Sequence, residues 1–273
     1  MPLVTCPDCD SSDIDRGADH VDGRWYVICL DCQREWLRGE ARVEVAPSGD
    51  LQAARQRFPA PEQAPAETRA RTADLKARFL QDRPEPREKV AGYWARYQQV
   101  FSAEGLRTCN PQDLKDFANN PTGARPGIMA VFNTAWNEMG ADAAAAQVRG
   151  SVEYLLRGPT SVPAEDRLTQ LILGERGLGM TGWRESLLTK VLCVAEAERF
   201  LPILMYTGRA GKREIVQRLY GLQLPPPDAT DWTKGRLIYW SNDLLRELAG
   251  DGFVDLVHMA EFLWWASEEQ DPA

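Results

Sequence analysis

Four of the chain's six cysteines stand in two CxxC pairs, Cys6-Pro-Asp-Cys9 and Cys29-Leu-Asp-Cys32, with nineteen residues between them. A thiolate pair two residues apart can place both sulfurs on one cation across a tight turn, and two such pairs complete a tetrahedron. The chemistry this spacing points to is a structural Zn2+ site made by Cys6, Cys9, Cys29 and Cys32. Four thiolates close the coordination shell, so no position is left for water and the metal would hold structure rather than catalyse. A rubredoxin-like iron site and a redox dithiol are the alternatives the same residues leave open. His20 lies between the pairs and, with four thiolates at hand, reads as a loop residue.

Such a site needs hairpins to present its two knuckles. Residues 13–19 suit a first strand, Asp22-Gly23 is a turn signal, and Trp25-Tyr-Val-Ile28 has the aromatic and β-branched content of a second strand. Trp36 and the alternating Arg42-Val-Glu-Val45 continue the pattern. A module of about 45 residues buries too little apolar surface to fold alone, so the metal must supply much of its stability, of order 10 kcal/mol. Trp25, Tyr26 and Trp36 would cover the small core beside it. Residues 4–45 resemble the zinc ribbons used in transcription, replication, translation and restriction proteins, a resemblance that implies a fold and leaves the job open. Ribbons that touch nucleic acid usually display basic or aromatic residues, whereas this one carries Asp8, Asp10, Asp13, Asp15, Asp19, Asp22 and Asp31. That surface favours a partner protein over direct phosphate contact.

The rest of the chain is ordinary globular material, 44% hydrophobic and 26% charged over 273 residues. Its net charge of -8 is uneven: residues 1–49 carry five Arg against ten acids, residues 50–90 nine cations against seven acids. No large block has the concentrated basic face of a phosphate-gripping protein. The opening MPLVTCPDCD has neither the basic stretch nor the apolar run of a secretory signal, and no run of roughly 18 apolar residues occurs. These features lead to the expectation of a cytoplasmic protein without a membrane span, whose reduced thiols favour metal over disulfides. Of the two remaining cysteines, Cys193 sits in the apolar run Val191-Leu-Cys-Val-Ala195 and reads as core.

Residues 46–66 hold four prolines and no sustained apolar period, the composition of a semi-rigid linker. Beyond it the period is helical. Val90, Tyr93, Trp94, Tyr97, Val100 and Phe101 lay an aromatic stripe on one helix, and Ile128, Phe132, Ala135, Trp136 and Met139 form another, ended by Gly140. Asn110-Pro-Gln-Asp113 is a helix start. Further stripes run through Val148, Val152 and Leu155; through Trp183, Leu187, Leu188 and Val191; through Ile215, Leu219 and Tyr220; through Leu237, Trp240, Leu244 and Leu245; and through Val257, Phe262 and Leu263. The expected fold is mainly α: a small β zinc ribbon at 1–45, a linker at 46–66, and an all-α domain of about eight helices at 67–268.

Candidate chemistry in the body is sparse. Thr207-Gly-Arg-Ala-Gly-Lys-Arg213 departs from a phosphate-binding loop in both glycine spacing and the residue after Lys212. It reads either as a turn with solvated cations or as an anion site in which Arg209, Lys212, Arg213 and Arg218 contact nucleic-acid phosphate, helped by free N–H groups at the helix start. Arg55, Arg57, Arg69 and Arg71 are the other basic residues placed for such contact. His20 and His258 fall in different modules, and no nucleophile elbow, zinc-protease helix or nuclease carboxylate pattern stands out, so the chain reads as non-enzymatic. The stretches KVLCVAEAERFLPIL, GKREIVQRLYGL, GRLIYWSNDLLREL and MAEFLWWA resemble helical segments of McrB-like restriction and phage-defence proteins, without the AAA+ GTPase segment. That resemblance implies a substrate- or partner-recognition module of a DNA-directed system and does not imply nuclease activity; the expected partner is a protein, with DNA contact, an adaptor role without nucleic-acid contact and an unrecognised nuclease or hydrolase as the readings left open.

Overall fold

The computed structural model describes residues 51–227 and 232–269, with three short strands before them, β1 (Ile14–Asp15), β2 (Tyr26–Cys29) and β3 (Glu35–Leu37). The strands pair antiparallel in the order β1-β2-β3, with Ile14 opposite Cys29 and Val27 opposite Trp36.

From residue 51 onward the described chain is all α. Twelve α-helices are described: α1 (Leu51–Gln56), α2 (Ala66–Asp82), α3 (Ala91–Phe101), α4 (Ala103–Thr108), α5 (Pro111–Asn119), α6 (Ala130–Met139), α7 (Ala141–Arg157), α8 (Ala164–Leu173), α9 (Glu185–Ala195), α10 (Lys212–Tyr220), α11 (Lys234–Ala249) and α12 (Leu256–Glu269). Eleven of them, α2 to α12, make up the stretch where about eight were expected, partly because a short helix such as α4, of six residues, shows too little period to be seen.

The helix ends follow local chemistry. Asn110 caps α5 by accepting from the Asp113 amide at 2.9 Å, and Pro111 takes the first helical position, where no N–H is needed. Gly140 ends α6 at φ 84°, a conformation that favours a residue without a Cβ. In α3, Trp94, Tyr97 and Phe101 are buried, and the Tyr97 and Phe101 rings pack against Phe117 of α5, at 5.0 Å and, edge-on, at 4.7 Å.

α11 lies at the centre, packed on α8, α10 and α12. It approaches α8 closely: a Cβ on Gly235 would stand 1.8 Å from the Glu165 carbonyl oxygen, and the Gly235 amide donates to Thr169 Oγ1 at 2.9 Å. One continuous core runs from Ala54 to Ala266.

Two expectations change here. Part of the stretch expected as a linker is packed onto the body: Ala54, Phe58 and Ala64 are buried, and the Phe58 ring stands edge-on to Trp232 and Trp240 at 5.8 and 5.7 Å. The prolines there punctuate a short helix and a 3-10 turn (Pro61–Gln63) instead of extending a tether. In the second aromatic stripe only Phe132 and Trp136 are core, while Ile128 and Met139 are 89% and 43% exposed. The helix starts at Ala130, so Ile128 precedes it and shares no face with Phe132.

Candidate functional site

The thiolate set lies outside the described residues for Cys6, Cys9 and Cys32; of Cys29 only the backbone is described, as the last residue of β2. In sequence the second CxxC pair starts on that strand and ends three residues before β3, where a hairpin would reverse. Among the described residues no group of three or more His, Cys, Asp or Glu could hold a metal ion. His20 is likewise outside them.

The basic cluster is described, and it differs from expectation at its centre. Lys212 is fully buried and its ammonium donates to the Ile203 carbonyl, so it cannot reach a phosphate at the surface. The amides of Lys212 and Arg213, expected to be free for an anion, donate to the carbonyls of Met205 and Tyr206 at 3.0 and 2.9 Å. The chain itself thus satisfies the first turn of α10. Arg209 remains exposed, Arg218 donates to the Arg209 carbonyl at 3.1 Å, and Arg213, 30% exposed, stands 4.0 Å from Glu214. Of the other candidate cations, Arg55 is 3.7 Å from Asp243 and Arg57 lies over the Trp232 ring; Arg69 and Arg71 are exposed on α2.

The reactive side chains of the core are committed to structural partners. Cys193 is buried, its thiol donates to the Leu201 carbonyl at 3.3 Å, and burial pushes that thiol up to about 12. Such a thiol is inert at neutral pH. His258 is buried between Phe79 and Phe253; its Nδ1 accepts from the Val254 amide at 3.3 Å, which assigns the hydrogen on Nε2 that bonds the Arg83 carbonyl at 2.7 Å.

Four charged groups that sequence reasoning missed are buried here. Asp166 and Arg236 form a two-pronged pair at 2.8 and 2.9 Å between α8 and α11. Glu185 accepts from the Tyr206 amide at 2.6 Å and from Lys234 at 3.2 Å. Lys190 donates to the carbonyls of Phe117 and Asn120 at the end of α5, 2.9 Å to the former, where the helix dipole favours a cation. Its ammonium also lies 4.8 Å from the centre of the Phe117 ring, and burial lowers its pKa to about 8. A lone lysine inside the apolar run Leu187–Val194 was the one local sign of this arrangement. The Asp166–Arg236 pair, seventy positions apart, left no spacing to read.

No family model, curated protein or solved structure matches the chain. The functional reading therefore rests on its own residues. Among the described residues no helix is long and apolar enough to cross a membrane. Two clefts of about 340 and 410 Å3 open on the body, the first beside α2, the second lined by residues that include Arg125 and Trp264.

Proposed function

We propose that this is a zinc-binding recognition protein of a DNA-defence or DNA-processing system, in which the N-terminal ribbon engages a partner protein and the helical body carries it. The observation that carries the reading is the pair of CxxC motifs: Cys6, Cys9, Cys29 and Cys32 form a closed thiolate set for Zn2+. Support for a protein partner comes from charge, since seven Asp between positions 8 and 31 give the ribbon an acidic surface that repels phosphate. The DNA-directed context rests on the resemblance of the segments after Lys190 to McrB-like proteins.

Metal analysis of the purified chain tests the first part: one zinc per chain is expected, lost when Cys6 or Cys29 is changed to Ser. Retention of full stoichiometry in both variants, or no zinc and no iron in the parent, defeats the reading.

A second reading, direct nucleic-acid contact, is favoured by Arg209 and Arg218, which stand together on the surface loop and helix. Reversing both to Glu should weaken binding to duplex DNA at low salt and lower the salt slope by roughly 0.9 per lost phosphate contact. If the parent shifts no DNA or RNA at low salt, the protein is an adaptor without nucleic-acid contact.

A further inference from the structure

Among the described residues six large apolar side chains are exposed, and three of them, Ile128, Val131 and Met139, fall within twelve positions on and just ahead of α6. Single exposed apolar residues are ordinary on a protein surface, whereas a group of them on one element marks a place where another surface sits. Two sides of α6 are already occupied. Phe132 and Trp136 hold its inner face in the core, with the Phe132 ring 6.0 Å from that of Trp183. On one flank Asn133 exchanges hydrogen bonds with Asn119 of α5 at 2.7 and 3.0 Å. The opposite flank carries the row Val131, Ala135 and Met139, each four residues from the next, and it stays open: Val131 is 58% exposed and Ala135 partly so.

Charge decides what this flank suits. Residues 126–137 contain no Asp, Glu, Lys or Arg, and neither do residues 177–183, in a chain of which 26% is charged. The fold brings the two runs together, so closely that a Cβ on Gly182 would stand 2.4 Å from the Phe132 amide nitrogen. Glu138 is the one charge on α6 itself. A nucleic acid or a strongly charged peptide finds no counter-charge along this row. A second copy of the chain brings another net charge of -8, so two copies repel where acidic surfaces meet, and a neutral face lets them touch without placing like charges together.

The row is also symmetric about its centre, with a large side chain four residues before Ala135 and another four residues after it. A two-fold axis through Ala135 sets Val131 of one copy against Met139 of the other, and lets the two Ala135 methyls meet where the helices come closest. Rows of residues four apart interdigitate when two helices cross at about -50°. We propose that the chain forms a two-fold dimer through this outer flank of α6, with the axis at Ala135 and with Ile128 at the rim. Such a contact uses the same surface on both copies and closes at two.

Sedimentation equilibrium of the full chain tests the proposal. The mass should rise from one chain to two across the micromolar range, the affinity of a small interface. The dimer should tighten as salt is raised, because salt screens the repulsion between two chains of net charge -8. Ala135→Glu sets two carboxylates at the axis and should weaken the dimer at least about tenfold, and Ala135→Lys should do the same with two ammonium groups. Mixed, the two variants should recover the dimer with one copy of each, a rescue that only a residue facing its own counterpart allows. Ala135 is partly exposed and Glu and Lys are good helix formers, so unchanged helicity is expected by circular dichroism. If either variant loses helicity, Val131→Asp, on a side chain already exposed, carries the same test and should also weaken the dimer at least about tenfold. A parent that stays monomeric overturns the proposal and leaves the flank to a different protein. A dimer that persists in Ala135→Glu or in Val131→Asp, one that salt loosens, or a mixture that restores nothing overturns it as well. None of these outcomes bears on zinc stoichiometry, so the two readings fail separately.

Discussion

α2 and α11 are almost the same length, 17 and 16 residues, and are built on opposite plans. In α2 only Thr72, Leu75 and Phe79 are buried, a single stripe on an otherwise solvated helix. In α11 eleven residues are buried, among them Arg236, Ser241 and Asn242. A helix enclosed on several sides keeps only a narrow solvated strip, around Glu247, so polar residues turned inward depend on partners. Arg236 takes Asp166, Ser241 turns back to the Leu237 carbonyl, and Asn242 accepts from the Leu201 amide at 2.9 Å while donating to the Arg199 carbonyl at 2.8 Å. Polarity marks the surface in one helix and the interior wiring in the other.

The contrast is sharpest at Asp166. Asp166→Ala leaves the Arg236 guanidinium buried without its counter-charge, which should cost about 3–5 kcal/mol in denaturant unfolding. The double variant Asp166→Ala with Arg236→Met should recover much of that loss, because an apolar pair removes the orphaned charge. If the single variant costs under about 1 kcal/mol, the central helices tolerate unpaired charge and the comparison collapses.

A smaller effect separates the two plans by pH. Burial holds Lys190 and Lys212 down to about 8, whereas an unfolded lysine titrates at 10.5. Below pH 8 both are protonated in folded and unfolded chains, and the cost of burying the charge is present in full. Between pH 8 and 9 the unfolded chain holds protons that the folded chain has released, so stability should rise, by on the order of 1 kcal/mol per lysine. Above pH 9 the effect reverses in part: the unfolded Cys193 thiol ionises while the folded one, held up to about 12, does not. Far-UV circular dichroism melts at pH 7, 8 and 9 read this directly. Lys190→Met should remove its share of the rise, and a flat profile in the parent would show both lysines to be solvated.

The least effect is expected on α2. Asp74 is exposed there, and Asp74→Ala should change stability by less than about 0.5 kcal/mol. A larger loss would mean that the outer face of α2 is covered.

The same contrast explains what could be read from the sequence. Tyr97 and Phe101 of α3, the Asn110 cap and the Gly140 stop were legible because each depends on neighbours within a turn or two. Phe58 was not, because its partners Trp232 and Trp240 lie more than 170 positions away and its own surroundings are Pro and Ala. Lys212 misled in the opposite way: at the first turn of a polar-looking helix it reads as solvated, but the segment ending in Ile203 folds over it. The CxxC pairs are the most legible chemistry in the chain, because ligand spacing is local by nature, and they fall where the structure describes only short strands.

The burial of Lys190 and Lys212 also makes the chain its own reporter of opening. The chain has six lysines, and the other four are at least partly exposed. An amine-acylating reagent should mark Lys89 within its ordinary reaction time, while Lys190 and Lys212 stay unmarked until the helices holding them part. Once exposed they react like any other amine, so their rate of acylation, read by peptide mass spectrometry, counts how often the core opens. Lys190 reports on the seam between α5 and α9, Lys212 on the turn that precedes α10, and a difference between their rates would reveal which of the two parts first.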